Sequence, residues 1–401
     1  MASSLEPKED WVRSFRSKLV RWYERERRVL PWRGTRDPYA IWLSEIMLQQ
    51  TQVATVLGYY ERFLTTFPTV IDLANADEQE VLKLWAGLGY YRRARQLHAA
   101  AKVIRDDYGG HFPEDFESVL ALPGVGRYTA GAVCSFAFEQ RQPILEANTN
   151  RLFSRLTALR EDPRASDSQK LLWEFADRIL PKSTVSRKAA EKARLAKKDG
   201  PSGGPFSTIN QAVMELGSQV CTPKSPKCLV CPVRELCPTF EAGLQLEIPK
   251  APVKKKPEQL GHALVFVLSE DHVLMRQNQP GQWWEGLWDF PRLETSARLK
   301  EAKVQSGKNV GRWLTQTAKR QIEADFLSEL AIELEVAEPC FELSHGVTKY
   351  RIRVVCLQAQ LLAPIDDSLT QYRWVSLAEL ESSVPLTSTA KRLAEARPWQ
   401  E

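Results

Sequence analysis

The chain's 401 residues are enough for two domains, each able to bury a core. No apolar run approaches the roughly 20 residues that a membrane span needs, and the start, MASSLEPKEDW, has no apolar signal region, so neither a membrane partner nor export is expected. The net charge of +5 is only a weak nucleic-acid signature, because residues 251–401 balance to −1 and the low-complexity segment 182–199 supplies +5 of the rest.

Between residues 10 and 30, Trp11, Phe15, Leu19 and Trp22 recur at helical spacing among many charges, which predicts an amphipathic helix. After LPWR, Asp37 and Pro38 read as the N-cap and first residue of the next helix. That helix, YAIWLSEIMLQQTQVATV, is apolar nearly throughout, with Glu45 in its middle. A mid-helix glutamate ordinarily faces solvent. Here Ile41, Trp42, Leu43, Ile46, Met47 and Leu48 leave little exposed face, so Glu45 is a candidate general acid with a raised pKa.

Residues 52–121 continue as helices broken at FPT, GLGYY and YGGHFP. Leu88 and Tyr90 stand on a glycine-flexed loop before Arg92, Arg93 and Arg95. An apolar wedge beside cations suits entry into a base stack. An ordinary helix cap with a solvated basic first turn suits the same residues, and both readings stand.

Residues 122–152, LPGVGRYTAGAVCSFAFEQRQPILEANTNRL, gain their signal from context, because a lone GxG is usually a ligand-free helix-to-helix turn. Pro123, Gly124, Val125 and Gly126 form a tight turn that aims backbone N–H groups at an anion, in a helix-hairpin-helix over about 119–135. Glu146 follows an apolar run and precedes Asn148. A phosphate grip with an acid downstream points to chemistry on a nucleic acid. Residues 152–181 read as helical, and 182–205 as a flexible insertion on the surface.

Cys221, Cys228, Cys231 and Cys237 follow, spaced C-x6-C-x2-C-x5-C. Four thiolates in this pattern hold zinc or a cubane cluster. Ligand count favours zinc, while one short pair with two longer arms favours the cluster. Cys134, Cys340 and Cys356 read as buried apolar residues. Residues 248–260 form a Pro/Lys linker. Beyond it, 263–268 and 272–276 read as a hairpin, with a helix near 313–330 and strands near 340–346, 349–360 and 371–375. The tryptophans of GQWWEGLWDFPR read as core rather than as a binding surface.

LPWR…DPYAIWLSEIMLQQTQVATV, GLGYYRRARQLHAAA, LPGVGRYTAGAV and the cysteine array, in this order and spacing, resemble adenine DNA glycosylases of the MutY type, in the endonuclease III superfamily. The resemblance implies a multidomain protein. An all-α helix-hairpin-helix glycosylase region over 8–247, a six-helix barrel with an iron–sulfur module at 221–237, would precede an α+β Nudix-like lesion-recognition domain over 261–396. It moves the metal assignment to one 4Fe-4S cluster. It implies an enzyme that acts on double-stranded DNA, expected to be a monomer, and the short, non-amphipathic N-terminus favours the bacterial cytoplasm, nucleoid-associated. The substrate would be adenine mispaired with 8-oxoguanine or guanine.

Position by position, Glu45 matches the general acid, Tyr128 a tyrosine that orders the site, and Asn148 an active-site asparagine. Tyr128 stands where lyases of the superfamily carry a nucleophilic lysine, which implies a monofunctional glycosylase. Gln50, Leu88 and Tyr90 match residues that probe the stack around the lesion pair. Leu343-Ser344-His345 falls where the family has a Phe-Ser-His loop reading oxoguanine, so Ser344 and His345 are lesion-reading candidates. The helix around AKRQIEADFLSEL lacks the glutamate-rich Nudix box, so this domain is expected to bind without hydrolysing.

The main departure is Glu146-Ala147-Asn148 where the family writes Asp-Gly-Asn. Glu146 keeps the carboxylate that would stabilise a cationic sugar but adds a methylene, and Ala147 removes a glycine. Glu215 also replaces a family aspartate. Two alternatives are a catalytically weakened lesion-binding protein of the same fold and an endonuclease III-like glycosylase/lyase.

Overall fold

The computed structural model describes residues 8–182, 203–251, 256–295, 314–382 and 384–399. Most of the insertion at 182–205 and part of the 248–260 linker lie outside the described residues. The chain divides into two units, residues 1–75 with 96–253, and residues 76–95 with 254–401.

The first unit is helical, with α1 (Glu9–Glu26), α2 (Pro38–Leu48), α3 (Val53–Thr66) and α4 (Val70–Asn75). After α5 (Glu78–Trp85) in the second unit come α6 (Arg92–Asp107), α7 (Phe116–Ala121), α8 (Arg127–Phe138), α9 (Ala147–Leu156), α10 (Ser166–Arg178), α11 (Pro205–Gln219) and α12 (Pro238–Glu241). Helix α1 buries Val12, Phe15, Leu19, Trp22 and Tyr23 along one stripe, as its periodicity predicts. Asp37 caps α2, its carboxylate accepting from Tyr39 N at 3.0 Å, with Pro38 at the first position.

Helix α2 is buried on every side from Tyr39 to Met47, so it is the unit's central helix, and it packs against α8. The same all-round burial carries Glu45 into the interior. Helix α11 packs against both α1 and α9. Its close approach to α9 needs Gly217, where a Cβ would lie 2.9 Å from Asn148 O.

The second unit contains a seven-stranded mixed sheet, with β1 (Glu258–Ser269), β2 (His272–Gln277), β3 (Trp288–Asp289), β4 (Arg292–Glu294), β5 (Leu334–Val347), β6 (Tyr350–Leu361) and β7 (Tyr372–Ser376). The path runs β3-β2-β1-β6-β5, with β4 paired to β1 and β7 to β2; β1 and β6 are parallel. Strand alternation splits the core over the two faces. Ala263, Val265 and Val267 pack toward α13 (Gln316–Leu330). Leu264 and Phe266 pack on the other side, against Leu393 of the C-terminal helix Ser388–Ala396 and Trp399.

Residues 76–95, read from sequence as part of the helical region, group with this second unit. Gln79 Nε2 donates to Gly286 O at 3.2 Å, Arg95 pairs with Glu285 at 3.3 Å, and Leu82 packs against Gly286. Trp288 and Trp284 pack on the core, while Trp283 keeps 36% of its surface exposed, so one tryptophan departs from the core reading.

Candidate active site and cysteine loop

A cavity of about 430 Å³ in the helical unit is lined by Glu45, Tyr128, Glu146, Asn148, Arg28 and Glu215, among others. Glu45 is only 4% exposed. Its one hydrogen bond among the described residues comes from Tyr128 Oη, which donates to Oε2 at 2.5 Å. Burial pushes the Glu45 pKa up to about 7; the Tyr128 bond opposes this and the nearby Glu146 charge adds to it. Burial and the same carboxylates raise the Tyr128 pKa well above the ordinary range, so its hydroxyl stays a neutral donor.

Glu146 is the N-cap of α9. Its carboxylate accepts from Asn148 N at 2.8 Å, Thr149 N at 2.9 Å and Asn148 Nδ2 at 3.2 Å. Thr149 Oγ1 accepts from Glu146 N at 2.8 Å, which completes a capping box. Burial raises the Glu146 pKa, while the two amides at the helix N-terminus favour its ionised form. Ala147 opens α9 as its first residue, and it is not among the residues with left-handed backbone. The family glycine's conformational freedom is therefore not needed here.

A third carboxylate was not singled out as functional from sequence. Glu215 is fully buried, and Oε1 accepts from Arg28 N at 3.0 Å and Arg28 Nε at 2.9 Å. Its Oε2 accepts from Arg28 Nη2 at 2.7 Å and Arg33 Nη2 at 2.8 Å. Burial alone would raise its pKa, but the bonds from Arg28 and Arg33 outweigh it and hold the group at about 2. The arginines flanking VLPW, five apart, were the available sequence signal.

The helix-hairpin-helix turn joins α7 to α8. Gly124 has φ +73°, Val125 is buried and anchors the turn, and Gly126 is the N-cap of α8 without a side-chain cap. The first α8 amides are thus left for an outside acceptor. The arginine cluster after Tyr90 is less available than its sequence suggests. Arg93 Nη2 donates to Leu88 O and Gly89 O, both at 3.2 Å, and Arg95 pairs with Glu285. Leu88 itself is buried at 5% exposure, whereas Tyr90 (58% exposed, φ +49°) and Gln50 (φ +57°) face outward.

Leu343, Ser344 and His345 lie within β5 rather than in a loop. Leu343 belongs to the sheet core at 7% exposure, Ser344 is exposed and His345 is half-buried. On α13, Glu323 Oε1 accepts from Val336 N at 3.0 Å, and Asp325 accepts from Thr295 Oγ1 and Gln321 Nε2, each at 2.8 Å. These acids are engaged in holding the helix to the sheet.

The four cysteines line one pocket with Leu152, Leu156 and Val233. Buried Arg155 donates from Nη1 to Cys221 Sγ at 3.2 Å, and from Nε to Ile248 O at 2.8 Å. Among the described residues, no three His, Cys, Asp or Glu side chains converge to hold a single metal ion. Zinc would need its thiolates around one point at about 2.3 Å. A cubane takes one thiolate per iron corner and spreads them, and a buried guanidinium beside a sulfur suits its negative charge. Arg151 carries the loop to the site: Nε donates to Cys221 O at 2.7 Å, and Nη2 to Asn148 Oδ1 at 2.9 Å.

Comparison with known proteins accounts for this layout. Residues 43–178 match the HhH-GPD superfamily of base excision DNA repair proteins, 262–396 match a NUDIX domain, and 221–237 match the iron–sulfur binding domain of endonuclease III. The adenine DNA glycosylase of Mus musculus is 42% identical over 239 residues, 57% of this chain and 42% of that protein. That of Buchnera aphidicola subsp. Acyrthosiphon pisum is 30% identical over 295 residues, 72% of this chain and 78% of that protein. The chain belongs to the adenine DNA glycosylase family.

It spans about two fifths of the length of the mammalian family members it matches. A thermostable thymine-DNA glycosylase structure, 29% identical, covers 58% of this chain and 98% of its own at a TM-score of 0.49. The iron–sulfur match indicates one 4Fe-4S cluster in this chain, and the thiols available within the matched span are Cys221, Cys228, Cys231 and Cys237. When bound, the cluster ties the loop together beside α9.

Proposed function

We propose that this protein excises adenine mispaired with 8-oxoguanine, or with guanine, from double-stranded DNA, as a monofunctional glycosylase. The observation that carries the reading is a pair of carboxylates in one cavity with opposite surroundings. Glu45 has a single donor in an apolar helix, and Glu146 has three donors at a helix N-terminus.

Adenine is out of reach inside the duplex, so it is flipped into the cavity at a cost of a few kcal/mol. Protonated Glu45 gives its proton to adenine N7 as the C1′–N9 bond breaks and its electron pair goes to N9, so the base leaves neutral. Ionised Glu146 faces the positive charge that grows on the sugar. Water then adds to C1′, and its proton returns to a carboxylate. One carboxyl that donates a proton and a second, held by helix amides, that faces the sugar divide the work as in glycoside hydrolysis. Arg28, held by Glu215, lines the same cavity and offers donors that suit the acceptor ring nitrogens of adenine. The turn at Gly124–Gly126 supplies amides for a backbone phosphate, and Tyr90 and Gln50 face outward to probe the stack.

Release of free adenine from an 8-oxoguanine:adenine duplex tests the reading. Binding without release would leave a lesion-binding protein, and a borohydride-trapped cross-link would make it a lyase. The single-turnover rate should follow a bell against pH. It should fall about tenfold per pH unit above about 7, as Glu45 loses its proton, and fall again on the acid side as Glu146 gains one. The two apparent values belong to the pair. A rate that holds steady or rises from about pH 7 to 9 would remove Glu45 as the acid.

A further inference from the structure

We propose that Arg292 is a positioning residue for lesion reading: one guanidinium sets the tautomers of His345 and His262, so that both rings offer N–H donors to an acceptor-bearing base edge. This role rests on the reading of the Nudix-like domain given above.

Arg292 lies on β4, beside His262 of β1, and is 91% buried. Its Nε donates to His262 Nδ1 at 3.2 Å, and its Nη2 lies 3.4 Å from His345 Nε2. The guanidinium sits over the Trp284 ring, 4.4 Å from its centroid. An arginine has donors only, so both contacted ring nitrogens must accept. Each imidazole then carries its proton on the other nitrogen, at His262 Nε2 and His345 Nδ1.

Neither ring takes a second proton readily. Burial first, and then the adjacent guanidinium, holds the His262 pKa at about 3 and the His345 pKa at about 4. The other charged group facing Arg292 is Asp289, whose Oδ2 lies 3.6 Å from Nη1. His262 is 94% buried, and its Nε2 has no hydrogen-bond partner among the described residues. A buried donor left unpaired is unfavourable, and an incoming acceptor would relieve it.

Aromatic rings surround the three groups. Trp283 lies parallel to His262 with centroids 6.2 Å apart and 5.4 Å from Tyr350, and Trp284 stands 5.6 Å from His345. Ser344 is oriented in the same sense, because Arg351 Nε donates to its Oγ at 3.3 Å and leaves the hydroxyl hydrogen to donate. Donors beside aromatic faces suit a purine carrying an added carbonyl. Oxidation of guanine at C8 creates such an acceptor where the parent base has C–H.

Ring 15N spectra of the full-length holoprotein, labelled at its five histidines, provide the test, with His345→Asn and His262→Asn assigning the signals. We expect His345 protonated at Nδ1 and His262 at Nε2, both neutral through about pH 6 to 8. His345 protonated at Nε2 in the unaltered protein would overturn the proposal, and this measurement needs no variant to fold. In Arg292→Met the fixed tautomers should be lost. The preference for 8-oxoguanine:adenine over guanine:adenine duplexes should then fall about tenfold, chiefly in binding. Arg292→Lys keeps the charge but not the two-armed reach, and should recover only part of the preference. Preserved discrimination in Arg292→Met after the tautomers are lost would refute the role. If the unaltered protein releases adenine but shows no preference for the oxidised base, lesion reading by this domain fails, and this role fails with it. If it releases no adenine at all, the glycosylase reading fails while the tautomer measurement still stands.

Discussion

Glu45→Gln should lower single-turnover release of adenine by at least about a thousandfold while leaving the affinity for duplex DNA nearly unchanged. General-acid catalysis by a positioned side chain contributes about a hundredfold to ten-thousandfold. This acid also prepares the leaving group, so the upper part of that range applies. Glutamine keeps the shape and can still accept from the Tyr128 hydroxyl, now 2.5 Å from Glu45 Oε2, but it has no acidic proton for N7. The variant should also be more stable at high pH. With a folded pKa of about 7, Glu45 loses native stability as the pH rises from its unfolded value through the folded one. Removing it should restore on the order of 3 kcal/mol above that pH, read as a higher melting temperature. Adenine release at the parental rate would end the assignment.

Glu146→Gln should be nearly as damaging to the rate. The two amides donate to different oxygens, Asn148 N to Oε2 and Thr149 N to Oε1, so the single amide oxygen of glutamine keeps one of these bonds while its NH2 faces the other N–H, and stability should fall by about 1 kcal/mol. The charge facing the sugar is gone, and the rate should drop at least about a hundredfold. Glu146→Asp separates charge from length. Aspartate is an equally good N-cap, and Ala147 already holds a helical position, so the rate should be maintained or raised. A large loss in Glu146→Asp, in a single-turnover assay with melting unchanged, would show that the longer side chain is built into this site. A misplacement of about 1 Å can cost about a hundredfold.

Residue order carried much of this protein. The spacing of the four cysteines, the glycine turn before Arg127 and the apolar flanks of Glu45 each express local chemistry, and local chemistry survives in a linear chain. The same holds for the hairpin around Ser269–Asp271 and the strand alternation that follows it. Residue order is silent where a side chain's surroundings arrive from far away in the chain. Leu88, which the sequence offered either as part of a wedge or as part of an ordinary helix cap, is buried, and Arg93 donates to the carbonyls of Leu88 and Gly89 beside it. Glu215 read as a mild exchange and is the carboxylate on which Arg28 and Arg33 converge, from about 180 residues earlier in the chain. The choice of a cluster over zinc, left open by ligand count, is made by the match of residues 221–237 to the iron–sulfur binding domain of endonuclease III.

Glu146 divides the same way. Sequence placed a carboxylate after the phosphate turn and marked its extra methylene and the lost glycine as the weak points. Only the fold shows that glutamate still closes a capping box and that alanine sits comfortably in the first helical turn. Only the fold connects Asn148 through Arg151 to the cysteine loop. Periodicity, capping and ligand spacing are short-range constraints written into neighbouring residues. The pKa of Glu45, the charge on Glu215 and the tautomer of His345 depend on burial and on partners that meet only when the chain is folded.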